Sequence, residues 1–249
     1  MGVNRAGKHW SSTCKPRRFG LTCPNLVASI SIEVKTKRNS MNIGIIGAGN
    51  MGSGLGKIWA QNGHKVMFSY SRDRSKLEKI AQEVGSNASV GTPAEAVTFA
   101  DVVVLSVPYG AIEDALNAAG SLEGKILFSI VNALLPDMSG MAVGTTTSAA
   151  EEIAKLAPGA RIVEALPVFA EVLNSESRRF GDQQATVFYT GDDEQAKQIV
   201  ADLLSEIDVE LVDAGSLKNS RYVEPAMMLL IQLAYAQQLG QVGFKLLRR

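Results

Sequence analysis

The sequence predicts an α/β fold: a doubly wound, mostly parallel sheet with helices on both faces and a small helical lobe at the C-terminus. Three observations carry the prediction. Apolar runs of strand length alternate with amphipathic runs of helix length through most of the chain. Residues 102–107 are apolar almost without a break, as expected of a parallel strand buried on both faces. A glycine-rich turn, Gly47-Ala48-Gly49-Asn50-Met51-Gly52, stands between an apolar strand and an amphipathic helix.

The elements follow in order. Residues 42–46 form a strand, 51–61 a helix and 65–69 a second strand. Leu77, Ile80, Ala81 and Val84 share one face of a helix over 75–84. Residues 89–90 are a short strand, and Thr92 caps a helix over 93–99 that has Pro93 at its first position. The strand at 102–107 ends at Pro108-Tyr109, which opens a helix reaching residue 119. Another strand occupies 125–131. Ser148-Ala149-Ala150-Glu151 has the spacing of a capping box, and its helix stops before Pro158-Gly159. Strands at 161–165 and 185–189, a helix from 191 to 207 and a strand at 209–212 complete the sheet. From Leu217 onward the chain reads as helical, with Met227, Met228, Leu229, Leu230, Ile231 and Leu233 unmatched by any later strand. The chain thus divides into a basic extension at 1–40, a nucleotide-binding domain at 41–215 and a helical lobe at 216–249.

The 249 residues are formally neutral, but the charge is uneven. Residues 1–40 hold eight Lys and Arg against one acid, Glu33, which leaves 17 basic and 24 acidic residues in the body. An acidic body of this kind does not present a nucleic-acid surface. No apolar run reaches transmembrane length; 227–236 is short and interrupted by Gln232. The extension, rich in Ser, Thr, Lys and Arg, resembles an organelle transit peptide, although Met41, just before the first strand, reads as the functional start. Both cysteines, Cys14 and Cys23, lie in this extension, so the body lacks the residues for thiol chemistry or a Cys-based metal site. The two histidines, His9 and His64, exclude His-rich metal centres; His64 follows Asn62-Gly63 and reads as a turn residue.

The glycine turn points to a dinucleotide and hence to a Rossmann domain. Gly47 permits the tight turn, Gly49 lets backbone approach a pyrophosphate, and Gly52 lets the helix pack closely on the strand. Ala48, Asn50 and Met51 complete the loop, whose helix N-terminus faces the phosphates. The end of the second strand selects the cofactor. An NAD enzyme places an acid there for the ribose hydroxyls, whereas this chain offers Ser71 and Arg72, with Arg74 and Lys76 beyond. Hydroxyl, guanidinium and ammonium groups suit a 2′-phosphate, so the expected cofactor is NADP. Asp73 is the acid nearby, past the Ser-Arg pair.

Other candidates read as structural. Asp213 and Arg221 are expected to pair and dock the helical lobe. Tyr109 either stacks near the nicotinamide or begins a helix, and Glu164 and Glu171 read as solvated loop acids. Met227 and Met228 are expected in core or dimer contacts. No residue stands out as a catalytic acid or base.

Taken together, these landmarks resemble the NADPH-dependent F420 reductases (F420H2:NADP oxidoreductases). The resemblance covers the whole body and, beyond the glycine turn, rests on Ser71-Arg72 with Lys76, on Val107-Pro108, and on the block from Val212-Asp213-Ala214-Gly215-Ser216-Leu217 to Asn219-Ser220-Arg221 and Glu224. Pyrroline-5-carboxylate reductases share the opening Ile-Gly-Ala-Gly-Asn-Met-Gly but not that late block. The resemblance implies hydride transfer between the nicotinamide C4 and the C5 of a deazaflavin, with the reactive atoms supplied by the cofactors. It implies that Ser71, Arg72 and Lys76 hold the 2′-phosphate, and that Val107 and Pro108 lie beside the ribose or nicotinamide. Where F420-using members carry a His, this chain has Leu166-Pro167-Val168-Phe169, and their polar contacts on the last helix correspond to Pro225 and Met227. The acceptor therefore stays open among F420, a flavin, a quinone-like ring and a chelated metal. A non-catalytic NADPH sensor and an imine reductase are the alternative functions. A cytoplasmic homodimer completes the expectation.

Overall fold

The computed structural model describes residues 40–71 and 73–249. The N-terminal extension with Cys14, Cys23 and His9 lies outside the described residues, as does Arg72. The body alternates β1 (Asn42–Ile46), α1 (Asn50–Gln61), β2 (Lys65–Ser69), α2 (Arg74–Val84), β3 (Ala88–Val90), α3 (Pro93–Phe99) and β4 (Val102–Leu105). It continues through α4 (Ile112–Ala119), β5 (Ile126–Ser129), α5 (Ala149–Leu156), β6 (Arg161–Ala165), α6 (Ala170–Leu173), β7 (Thr186–Gly191), α7 (Glu194–Leu204), β8 (Glu210–Asp213) and α8 (Ser220–Ile231).

The eight strands form one sheet in the order β3-β2-β1-β4-β5-β6-β7-β8. The chain steps outward from β1 to β3, then returns to place β4 on the other side of β1. That reversal opens a crevice at the C-terminal ends of β1 and β4, where α/β folds bind ligands. Every pairing is parallel except β6 with β7. The β6–β7 connection contains only the four-residue α6, not a crossover helix of ordinary length, so β7 returns antiparallel.

Successive residues of the buried strands feed opposite faces. Val102 and Val104 join a core with Leu55, Ile58 and Trp59 of α1 and with Leu203 and Leu204 of α7. Val103 and Leu105 join a second core with Ile112 and Leu116 of α4 and Ile153 of α5. Trp59 is fully buried, and its indole N–H donates to the Leu203 carbonyl at 3.0 Å. Thr92 and Glu95 form the reciprocal cap of α3. At α5 the predicted box is half made: Ser148 accepts the Glu151 amide at 3.2 Å, while the Glu151 carboxylate turns to Arg221.

The C-terminal segment is helical for only part of its length. After α8 a π turn covers Gln232–Ala236, and Gln238 takes a left-handed conformation (φ 56°). The amides of Leu239 and Gly240 close on the carbonyls of Leu233 and Ala234, which ends the helix. The irregular tail then runs back beside β7, where Thr186 N–H donates to the Phe244 carbonyl at 2.8 Å. Among the described residues, no helix is long and apolar enough to cross a membrane.

Candidate functional site

The turn after β1 is built on two close approaches. Gly47 has φ +103°, and a side chain there would run into the Ser106 carbonyl just past β4. A Cβ on Gly52 would strike the Gly47 carbonyl, so α1 can lie this close to the loop only with glycine. Nothing surrounds the Cβ position of Gly49, which leaves space above the N-cap of α1. No side chain caps that helix, and its first turn holds no acid. Its leading amides and its dipole are free to meet an anion.

This loop forms one wall of a cleft of about 1780 Å³. Gly47, Ala48, Gly49, Ser71, Lys76, Val107 and Pro108 all line it, so seven of the eleven sequence-predicted positions converge on one space. Of the other four, Gly52 is buried beneath the loop, Asn50 is exposed at the start of α1, Met51 faces a neighbouring pocket, and Arg72 is outside the described residues. Ser71 and Lys76 stand with Arg74 where the cleft passes the end of β2. The nearby acid is already engaged: Asp73 caps α2, accepting the Ser75 amide at 2.9 Å and the Ser75 hydroxyl at 2.7 Å. Those bonds hold its carboxyl below the ordinary range.

Sequence reasoning missed Tyr70, Ser106, Gly91 and Pro93 on the cleft wall. Tyr70 has φ +57°, a conformation that turns the chain out of β2 and that no sequence pattern announced for a tyrosine. Pro93 had been read only as a helix start.

A second pocket of about 650 Å³ opens beside the first, at the C-terminal ends of β5 and β6. Met51 of α1, Ile130 and Asn132 after β5, Leu166–Glu171 after β6, and Met227, Ile231 and Tyr235 from the last helix and its turn contribute to its wall. It is mainly apolar. The last helix therefore lies against this pocket and not against the glycine-loop cleft.

The pairing expected between Asp213 and Arg221 is not made. Arg221 grips Glu151 of α5 with two bonds of 2.7 Å, while Asp213 pairs with Lys197 of α7 at 2.9 Å. Arg221 lies one helix turn from Glu224, and both project toward α5. Glu224 itself is buried and receives the amides of Ala149 and Ala150, at 2.9 and 3.2 Å, at the N-terminus of α5.

Glu164 is corrected more sharply. It is not a loop acid but a fully buried residue of β6, with no hydrogen bond of good geometry to either oxygen and Glu224 beside it. Burial and then the Glu224 charge push its carboxyl well above the ordinary range, so it is held protonated. Alternation along β6 already put Glu164 on a buried face, which was the available signal.

Glu171 is exposed, as expected. Tyr109 opens a short 3₁₀ turn (Tyr109–Ala111) before α4 and packs against the second core, so the helix-opening alternative holds. His64 is more than a turn residue. It is 3% exposed, its Nδ1 accepts the Met41 amide at 3.1 Å, and its Nε2 meets Glu206 at 3.1 Å. It ties the start of β1 to the end of α7.

Comparison with known proteins supplies an independent line. A family model described as NADP oxidoreductase coenzyme F420-dependent matches residues 42–133. The F420-dependent NADP reductase of Methanocaldococcus jannaschii is 28% identical over 207 residues, covering 78% of this chain and 92% of that protein. The protein of the same name from Methanothermobacter thermautotrophicus is 29% identical over 222 residues, covering 83% and 94%. A crystal structure from Arthrobacter, assigned as an F420-dependent NADP-reductase, superposes with a TM-score of 0.74 at 28% identity, over 84% of this chain and all of that one. A reductive aminase from Aspergillus terreus, 19% identical with a TM-score of 0.59, shares the fold.

Proposed function

We propose that this chain, an NADP oxidoreductase related to the F420-dependent NADP reductases, binds NADP(H) across the glycine-loop cleft and passes hydride between nicotinamide C4 and a planar acceptor in the neighbouring pocket. In this reading residues 41–215 carry the nucleotide, and residues 216–249 close the acceptor side. The pyrophosphate lies over Gly47, Ala48, Gly49 and the amides of Asn50 and Met51, with Gly52 holding the helix close. Ser71, Arg72 and Lys76 take the 2′-phosphate, and Val107 and Pro108 border the nicotinamide riboside. The acceptor is a deazaflavin of the F420 type, as the names of the relatives suggest.

The observation that carries this reading is the uncapped, acid-free N-terminus of α1 in a cleft whose other end gathers Ser71, Arg74 and Lys76 while Asp73 is spent as a cap. Little else is asked of the protein than to hold two rings face to face in a dry pocket. Calorimetric titration with NADPH and NADH tests it. Selective binding of NADPH that Arg72→Ala and Lys76→Ala weaken supports the reading; equal affinity for both nucleotides contradicts it.

The same reading places the protein in the cytoplasm as a homodimer. Support for the dimer comes from Tyr222 and Leu229, exposed on α8 at 67% and 55%. Sedimentation at micromolar concentration that shows monomer alone removes this part.

A further inference from the structure

The acceptor-side pocket is apolar except for Asn132 and one corner. There the Tyr235 hydroxyl donates to Glu171 Oε1 at 3.1 Å, and its ring packs on Phe169 with centroids 5.8 Å apart. Among the described residues lining this pocket, these two are the titratable groups. Tyr235 stands on the π turn, where the Gln237 amide reaches back five residues to the Gln232 carbonyl at 2.9 Å. Such a turn gives up regular helical geometry and recurs where a side chain is re-aimed for function. Asn132, on the wall of the same pocket, has a buried Oδ1 that accepts no hydrogen bond, which fits a ring N–H of a bound acceptor.

We propose that Tyr235 is the proton donor of the reaction and that Glu171, which accepts its hydroxyl, positions it. This rests on the reading above that a hydride acceptor occupies the pocket. The C4–H bond of NADPH breaks and its electron pair forms a C–H bond to the acceptor ring, leaving NADP⁺. Charge then develops on a conjugated nitrogen or oxygen of the reduced ring. The Tyr235 O–H bond breaks toward that atom, and a proton from solvent returns to the phenolate oxygen. Solvent reaches the pair, since Tyr235 and Glu171 are both exposed. The balance is NADPH, one proton and acceptor going to NADP⁺ and the two-electron-reduced acceptor. Tyr235 is the catalytic residue, since it touches the substrate; Glu171 acts through it. Tyr235 is about half exposed, and partial desolvation with the hydrogen bond to Glu171 holds its phenol above the ordinary range, so the donor is protonated when the acceptor arrives.

A merely structural role would have the pair pin the π turn to α6. Single-turnover stopped flow separates the two. The full chain, loaded with NADPH, is mixed with F420 or FMN in H₂O and in D₂O, and NADPH affinity is measured in parallel by fluorescence. Tyr235→Phe is expected to slow oxidation about 100-fold and to abolish the solvent isotope effect, with NADPH affinity unchanged. Glu171→Gln should slow it about tenfold, with NADPH affinity unchanged. A Tyr235→Phe protein within about twofold of wild type, with its solvent isotope effect intact, overturns the proposal and leaves the oxidoreductase reading standing. Loss of NADPH affinity together with rate in Tyr235→Phe also overturns it, in favour of the structural role. Wild type that binds NADPH but oxidises it with neither acceptor overturns both.

Discussion

The two halves of the crevice are built by different means. At the glycine-loop cleft, backbone does most of the work: glycines hold α1 against β1, and the helix offers uncapped amides toward open space above Gly49. At the second pocket, side chains from distant segments do the work: Met51, Asn132, Phe169, Glu171, Met227 and Tyr235 meet only because the sheet brings them together. Backbone recognition needs a local pattern that tolerates few substitutions. A pocket walled by side chains can be rebuilt residue by residue without changing the fold. The glycine-loop cleft is accordingly the half of the crevice that the sequence announces, and the second pocket the half that needs coordinates.

The contrast can be broken most forcefully at the loop. Gly52→Ala puts a methyl group onto the Gly47 carbonyl and should weaken NADPH binding about 100-fold or more, at a stability cost of about 1–3 kcal/mol. Titration with NADPH and a urea melt check both. Normal binding would show that the loop is not the rigid device described. A smaller effect belongs to the phosphate end. Lys76→Ala should cost about 1.5 kcal/mol, roughly tenfold, in NADPH affinity and leave NADH affinity within about twofold.

The buried acids sharpen the comparison from the other side. Glu164 has a raised carboxyl, so between the ordinary carboxylate range and its own native range the unfolded chain ionises while the folded one does not. Its stabilising contribution is complete below the ordinary range and is lost as pH rises toward the native one. Glu164→Gln keeps the size of the side chain and carries no titration. It should raise stability by about 1 kcal/mol at pH 8 and leave it unchanged near pH 4, as read by thermal melts at the two values. Glu224→Gln has the opposite sign, since it removes one of the two carboxyl oxygens that receive the Ala149 and Ala150 amides, and should cost about 1–3 kcal/mol. Smallest is Lys57→Ala: its exposed pair with Glu83, at 2.8 Å, should be worth under about 0.5 kcal/mol.

The sheet was legible because its strands are short, apolar and separated by helices with a clear periodicity. Boundaries moved where hydrogen bonding and not hydropathy decides: the apolar run through Val107 leaves the sheet after Leu105, where the chain bends past Gly47 toward Pro108. The short α6 went unseen, having too few residues to show a period. Glu164 was misread because charge was weighed above its place in an alternating strand. Arg221 was given the wrong partner because Asp213 is close in sequence, while Glu151, 70 residues away, is the one that α8 meets. The helical reading past Ala236 failed because the tail runs beside β7 as an irregular chain, with Phe244 against Phe188, which composition alone does not distinguish from a helix.

The central claim is direct hydride transfer from NADPH to a ring held beside it. The most direct measurement follows the label: NADPH carrying deuterium at C4, in each stereochemical form, is incubated with the protein and F420, and the product is examined by mass spectrometry and NMR. The account predicts that one of the two forms delivers one deuterium to C5 of the reduced deazaflavin for each NADPH consumed. NADPH oxidation with the label lost to water from both forms, or no oxidation at all by a protein that binds NADPH, would contradict it.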